Sequence, residues 1–350
     1  MWLLLSMPIA ALAAAPAMAL VKPGLVLKLP ADTGAHPDFR TEWWYLTGWL
    51  TTANAQPLGF QITFFRSATD NDRRNPSRFT PQQLIIGHAA LSDPALGKLI
   101  HEQQSAREGF GIAYAKVGNT DVKLNDWRLL RLANGHYQAQ VKTASFDLTL
   151  DLTPTQAPLL QGEQGYSRKG PKPAQASYYL SEPQLTVSGK LARSGKQQTV
   201  TGSAWLDHEW SSNVLDTNAS GWDWVGANLS DGGALMAFQV RDQKGDKIWS
   251  NASLRGADGR LTQFAPHEVN FSVLRRWRSP RTNALYPVVQ SIQTGKLQWQ
   301  LSPLQDDQEL DARRSTGVVY WEGAVTLTRD GIPAGRGYLE MTGYLKALKL

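Results

Sequence analysis

The chain has 350 residues, with 36 Lys and Arg against 30 Asp and Glu, a formal charge of +6 and no cysteine. The missing cysteines exclude disulfides, thiolate metal sites, a cysteine nucleophile and a lipid-modified cysteine anchor. Thirteen tryptophans, thirty glycines and nineteen prolines favour short strands and many turns over helical packing, and the length points to two domains at about 150 residues each.

Residues 1–19 carry no charged side chain and end Ala17-Met18-Ala19. A short apolar core before a small-x-small site reads as a secretory signal, although the usual positive n-region is missing. Pro8 and Pro16 interrupt the segment as a spanning helix, which needs about 20 apolar residues. The expectation is a signal peptide over 1–19 and a mature periplasmic or secreted chain from Leu20, not a lipoprotein.

Strand-like runs follow at 58–65, 84–92, 137–143, 146–152, 185–191 and 200–206. In Phe146-Asp-Leu-Thr-Leu-Asp-Leu-Thr the apolar residues fall at every second position, the period of a half-buried strand. The second half continues with 234–240, 247–254, 269–273, 296–301, 318–328 and 336–345. No long stretch keeps the helical period; 81–84 and 306–312 are expected to form brief helical turns. The dense basic cluster from Arg275 to Arg281 reads as a solvated loop, with an anionic membrane surface or ligand as the alternative. No nucleic-acid motif accompanies it.

The chain repeats itself. Trp43, Tyr45, Leu46 and Leu50 line up with Trp222, Trp224, Val225 and Leu229, and Phe60-Gln-Ile62 matches Phe238-Gln-Val240. Ala204-Trp-Leu-Asp207 likewise aligns with Gly337-Tyr-Leu-Glu340. Copies this long are related domains, not solenoid units. The boundary is placed in the polar stretch 211–218, giving an N-terminal domain over 24–212 and a C-terminal one over 213–350. Many short antiparallel strands suggest barrels or sandwiches.

Hydrolytic signatures are missing: there is no Gly-x-Ser-x-Gly elbow, phosphate-binding glycine loop or His-Glu-x-x-His helix. Asp207-His208-Glu209-Trp210 is the best reactive constellation. On a strand, Asp207 and Glu209 face one side while His208 and Trp210 face the other. Protonating an isolated alkene needs a strong acid, which a carboxyl group in a dry pocket supplies, and Trp faces stabilise the cation. The candidate catalytic residues are Asp207, His208 and Asp223; the bland alternative is a hydrogen-bonded cluster locking two domains together. Glu42 either holds a ligand's polar end or pairs with Arg66, and pairing is favoured because a lone buried carboxylate is costly. Among Trp43, Trp44, Tyr45 and Trp49, core packing accounts for at least half. His88 has no spaced partner and reads as a core or pocket histidine; no metal and no cofactor are expected.

These motifs resemble the family of AttH-like proteins and carotenoid 1,2-hydratases (hydroxyneurosporene synthases). The shared stretches are Glu42-Trp-Trp-Tyr-Leu-Thr-Gly48, Gly59-Phe-Gln-Ile-Thr-Phe-Phe-Arg66, His88-Ala-Ala-Leu-Ser-Asp93, Trp205-Leu-Asp-His-Glu-Trp210, Gly221-Trp-Asp-Trp224, Tyr320-Trp-Glu-Gly323 and Gly337 to Tyr344. The resemblance covers nearly all of the mature chain and implies an all-β protein of two lipocalin-like antiparallel β-barrel domains in tandem, with apolar ligands. The expected ligand pocket comprises Glu42, Trp44, Arg66, His88, Trp210, Trp222, Trp224, Tyr338 and Glu340. The expected function is an exported protein binding an apolar or amphiphilic molecule, a lipid or isoprenoid, with an ABC-transporter-type membrane complex as its expected partner. The alternative is an acid-catalysed hydratase, or a secreted hydrolase, acting on such a molecule.

Overall fold

The computed structural model describes residues 18–348. Of the expected signal segment, residues 1–17 lie outside the described part. Thr41–Thr52 (β1), Pro57–Ala68 (β2), Gln83–Asp93 (β3) and Lys98–Arg107 (β4) form one antiparallel meander. Ala113–Ala115 (β5), Asp121–Leu124 (β6), Trp127–Arg131 (β7), Tyr137–Lys142 (β8) and Asp147–Thr153 (β9) form another. The spurs Leu159–Leu160 (β10) and Tyr166–Arg168 (β11) lie on the long hairpin of Ala176–Arg193 (β12) and Lys196–Asn213 (β13). That hairpin splices the two meanders into one sheet, ordered β4-β3-β2-β1-β13-β12-β9-β8-β7-β6-β5.

The second sheet starts at Ala219–Leu229 (β14), Ala234–Asp242 (β15), Lys247–Arg255 (β16) and Leu261–Phe264 (β17). Val269–Arg278 (β18), Leu285–Thr294 (β19), Leu297–Pro303 (β20) and Glu309–Ala312 (β21) follow, and Val318–Arg329 (β22) with Ile332–Met341 (β23) ends it. Its order is β17-β16-β15-β14-β23-β22-β20-β19-β18, with β21 on β22. In each sheet the first strand pairs with the last, so the sheet curls back around its own apolar face as a lipocalin-like barrel.

The ladders place the repeat. Tyr45 lies opposite Asp207, and Trp224 opposite Glu340. Trp205 and Tyr338 then hold equivalent positions, as do the two acids. The hairpin equivalence is different from the one the sequence suggests. Trp43 faces Phe65 and Trp222 faces Val240, which makes Thr63, not Phe60, the counterpart of Phe238. An odd slip moves a residue to the other face of its strand: Phe60 fills the first barrel, whereas Phe238 belongs to the layer between the sheets.

Among the described residues, each barrel interior is filled by a cluster of apolar side chains. Trp44, Phe60, Ile62 and Trp127 are fully buried in the first, as are Val225, Ile292, Trp299 and Trp321 in the second. Burying a large apolar side chain contributes about 1.5–3 kcal/mol. A third apolar cluster, with Tyr45, Trp49, Tyr179, Trp205, Trp224 and Phe238, lies between the sheets. Two glycines let the sheets touch. A Cβ on Gly59 would come within 2.5 Å of the Ala324 methyl, and one on Gly226 within 2.9 Å of the Trp205 ring. Polar links reinforce the contact: Trp49 Nε1 donates to the Gly337 carbonyl at 2.9 Å, and Asn228 Nδ2 to that of Ala204 at 3.0 Å.

Three local expectations are corrected. Residues 83–84 open β3 and 309–312 form β21; the short helical turns are Ala31–Thr33, Pro94–Leu96 and Pro266–Glu268. Arg275 to Arg278 belong to the edge strand β18, where Arg275 pairs with Asp306 at 2.6 Å and Arg281 beyond it with Asp307 at 2.5 Å. Strand β4 has a polar sequence, Lys-Leu-Ile-His-Glu-Gln-Gln-Ser-Ala-Arg, which gave no periodic apolar signal because an edge strand hides little surface.

Candidate active site

Between the barrels lies a cavity of about 370 Å³. Alternation on β1 sends Trp43 and Tyr45 into it, and β2 adds Thr63, Phe65 and Ser67. Trp222 and Trp224 of β14 and Phe238 and Val240 of β15 form the opposite wall. The acids on the lining are Asp207 and Glu209 of β13, Glu322 of β22 and Glu340 of β23, with Tyr320 and Lys169 beside them. The cavity thus combines an aromatic wall with several convergent acids.

Asp207 is the most heavily bonded acid of the cavity lining. It accepts hydrogen bonds from Ser181 Oγ (2.6 Å), Trp205 Nε1 (2.6 Å) and the Tyr179 hydroxyl (2.7 Å). Tyr179 in turn accepts from Trp224 Nε1 at 3.0 Å, so the Asp207 segment and the Trp222 segment meet through one phenol. Burial pushes the Asp207 carboxyl up to about 7, against the lowering effect of its Ser181, Tyr179 and Trp205 donors. Glu209 pairs with Lys169 at 2.9 Å, and the Lys169 ammonium sits 4.4 Å from the ring centres of both Tyr179 and Phe238.

Glu322 and Glu340 face each other across the β22–β23 ladder. Side chains directly opposite on antiparallel strands stand about 5 Å apart at Cβ. Glu340 accepts one hydrogen bond, from Trp222 Nε1 at 2.9 Å, and Glu322 Oε2 has no partner. Burial raises the pKa of both carboxyls; the charge of Glu340 pushes Glu322 further up, and those of Glu209 and Asp207 do the same to Glu340 against the lowering effect of its Trp222 donor, so the pair favours keeping a proton at neutral pH. The phenols of Tyr45, Tyr320 and Tyr338 are likewise raised by burial and by these glutamates, and stay neutral.

The other nominated residues point elsewhere. His208 and Trp210 face into the first barrel, where Glu42 is wholly buried. Glu42 takes His208 Nε2 at 2.9 Å, His36 Nδ1 at 2.8 Å and Arg66 Nε at 2.7 Å. Burial alone would raise its carboxyl, but the hydrogen bonds and charges of His208, His36 and Arg66 hold it far below the usual range. Trp44 stacks on His208 at 4.7 Å and Trp210 on His36 at 3.7 Å. His36, Glu42 and His208 hold their donor atoms within 4.8 Å of one another, and Arg66 already supplies the positive charge a cation would bring. Asp223 lies between the two pocket tryptophans in sequence but faces the other way, bonded to Arg241 Nε (3.0 Å), Gln239 Nε2 (2.6 Å) and the Tyr344 hydroxyl (3.0 Å).

The trio Asp207, His208 and Asp223 is therefore not one site: strand alternation puts His208 and Asp223 on faces turned away from the cavity that Asp207 lines. Of the nominated pocket residues, Trp222, Trp224 and Glu340 line it; Glu42, Trp44, Arg66 and Trp210 do not. Tyr338 is buried beside a much smaller cleft. His88 is fully buried beneath the wall, bonded to Ser315 Oγ at 2.9 Å and to the Tyr320 hydroxyl, and burial pushes it down to about 3. Glu322, Tyr45, Phe65 and Phe238 were missed. One signal was available for Glu322: Trp205-x-Asp207, Tyr320-x-Glu322 and Tyr338-x-Glu340 share an aromatic-x-acid spacing, which puts ring and acid on one face of each strand.

The architecture has relatives. The crystal structure of an AttH candidate from Nitrosomonas europaea superposes with a TM-score of 0.89 at 59% identity, covering 94% of this chain and 100% of that one. Kievitone hydratase from Nectria haematococca superposes at 0.72 with 14% identity, covering 95% and 97%. CghA in complex with Sch210972 reaches 0.55 at 12% identity, covering 87% and 89%. At these low identities the last two speak for the fold alone. No curated protein matches the chain in sequence. The AttH-like family pattern spans residues 20–344, and the chain belongs to the AttH-like family.

Proposed function

We propose that this protein is a hydratase-type acid catalyst that binds an apolar or amphiphilic alkene, lipid- or isoprenoid-like, between its two barrels. The observation that carries the reading is the Glu322–Glu340 pair, two carboxyls opposite each other on the wall of an aromatic cavity, with Glu322 Oε2 left without a partner. Neutral carboxyl groups in dry sites are proton donors at neutral pH. The protonated member of the pair gives its proton to one alkene carbon, forming a C–H bond and leaving a carbocation on the other. The faces of Trp43, Trp222 and Trp224 stabilise that cation. Water adds to it, and a carboxylate of the pair, or Asp207, takes the released proton, so the net change is addition of H₂O. The hydratase among the structural relatives is compatible with this chemistry on this fold.

A carrier reading shares the same cavity: the protein binds the molecule without changing it. The apolar segment over residues 1–19 supports export, and a partnership with a membrane transport complex belongs to this second reading; pull-down from membranes tests it. Incubation with acyclic isoprenoid alkenes in H₂¹⁸O, followed by mass spectrometry, decides between the two. Label in an alcohol product, lost by 10²-fold or more in Glu322→Gln and Glu340→Gln, supports the hydratase. Tryptophan quenching without product leaves the carrier, and neither quenching nor product overturns both.

A further inference from the structure

At one end of the first barrel, the hairpin between β2 and β3 meets the turn after β4. Phe79, Phe110 and Ile112 stand there 68%, 49% and 48% exposed. The two phenylalanine rings lie 5.5 Å apart. The Arg107 guanidinium covers both, at 5.2 and 4.8 Å from their centres, and Arg78 approaches Phe110 at 5.9 Å. Phe110 is held in the left-handed region (φ 57°) between Gly109 and Gly111, which share it. Such a backbone is unfavourable for a bulky residue, and here it turns an apolar ring outward.

The charges around the tip are uneven. Arg73, Arg74 and Arg40 on the same side pair with Asp38, Asp72 and Asp70. Arg78 and Arg107 have no carboxylate partner among the described residues; Arg107 donates instead to the Phe79 carbonyl at 2.7 Å. Exposed aromatic rings flanked by unpaired guanidinium groups match the boundary of an anionic bilayer, where rings enter the acyl edge and cations meet phosphate. A protein partner would have to offer an apolar hollow ringed with acids in the same arrangement.

The location adds a second argument. Ser67, on the cavity lining, pairs with Leu84, and Leu84 pairs with Arg107. Neighbouring strands are about 4.8 Å apart, so the tip begins about 10 Å from the cavity along the sheet. We propose that the tip formed by Phe79, Phe110, Ile112, Arg78 and Arg107 docks the protein on an anionic phospholipid surface and sets the interbarrel cavity beside that surface. The docking is independent of whether the cavity catalyses or only carries.

The test is co-sedimentation of the full chain with vesicles of phosphatidylcholine, with and without about one-third phosphatidylglycerol. Binding is expected only with the anionic lipid and should weaken as salt rises. Phe79→Ser/Phe110→Ser and, separately, Arg78→Glu/Arg107→Glu should each lower the partition coefficient about tenfold or more. Near-UV circular dichroism identifies any variant that fails to fold, and the exposed charge reversal is the variant least exposed to that failure. Absence of sedimentation with the anionic vesicles overturns the proposal. So does equal binding to neutral vesicles, or binding that neither folded variant changes.

Discussion

Glu42, wholly buried, and Glu340, half-buried on the cavity wall, lie on strands that pair across the first and last positions of their barrels, yet they occupy opposite electrostatic regimes. Glu42 sits inside a barrel with an arginine and two histidines aimed at it, and it is a permanent carboxylate. Glu340 sits between the barrels opposite a second glutamate, with one indole donor, and the pair keeps a proton. Burial penalises the charged form in both places; the partner decides the outcome. The first arrangement holds structure together. The second stores an acid. Strand β13 carries the boundary between them, since Asp207 faces the cavity while its neighbour His208 faces the barrel.

The sharpest way to break this comparison is Arg66→Met. Removing one member of a buried pair should cost about 3–5 kcal/mol, read by urea denaturation at neutral pH, because Glu42 loses its guanidinium. A loss below about 1 kcal/mol would show that the two regimes are not different in kind.

Next comes the pH dependence, whose sign differs between the two places. The cavity pair titrates higher in the folded protein than in the unfolded chain, so the folded state binds more protons in the interval between. Stability from this pair is full below about pH 4 and falls as pH rises toward and beyond neutrality. Glu42 works the other way: its depressed folded value contributes stability above the unfolded range, lost as pH falls below about 4. Glu322→Gln/Glu340→Gln should therefore flatten the alkaline decline and stabilise the protein at pH 8 by a few kcal/mol. Denaturant midpoints measured across pH check both limbs.

The contact that creates the cavity is tested by Gly59→Leu. The new side chain meets Ala324 across the interface, and overpacking of this kind costs about 1–3 kcal/mol. It should appear as a loss of cooperativity between the two barrels in calorimetry, with the Glu42 cluster intact. The smallest expected effect is Trp222→Phe. It deletes the one hydrogen bond to Glu340, costs about 1 kcal/mol, and moves the carboxyl titration of the pair further upward, visible by difference infrared spectroscopy.

Much of the architecture was legible before any coordinates. The aromatic strand that recurs at Trp43 and Trp222 is equivalent in the ladders, and so are Asp207 and Glu340, because strand ends carry their side-chain pattern wherever they fold. The pairing of Glu42 with Arg66 followed from the cost of a lone buried charge. The cavity was harder. Trp43, Trp44 and Tyr45 are apolar on both faces of β1, so alternation says that neighbours diverge without saying which face turns to the barrel and which to the partner domain. Glu42, Trp44 and Trp210 turn to the barrel rather than to the cavity, and Glu322 stands in Tyr320-Trp-Glu-Gly323, where only its aromatic-x-acid spacing links it to Asp207 and Glu340.

What the sequence determined by itself is the all-β architecture, the internal duplication, and the alternation that separates Asp207 from His208, since these follow from local periodicity. Only the tertiary structure decided where those faces lead. Both barrel interiors are filled by their own side chains, so the open space lies between them. There Glu322 and Glu340 stand opposite each other in the local hairpin of β22 and β23, but only the packing of one barrel on the other closes the space around them with Trp43, Phe65 and Asp207; whether an acid keeps its proton depends on that burial and on the charges it meets, contacts between distant segments that no local pattern specifies.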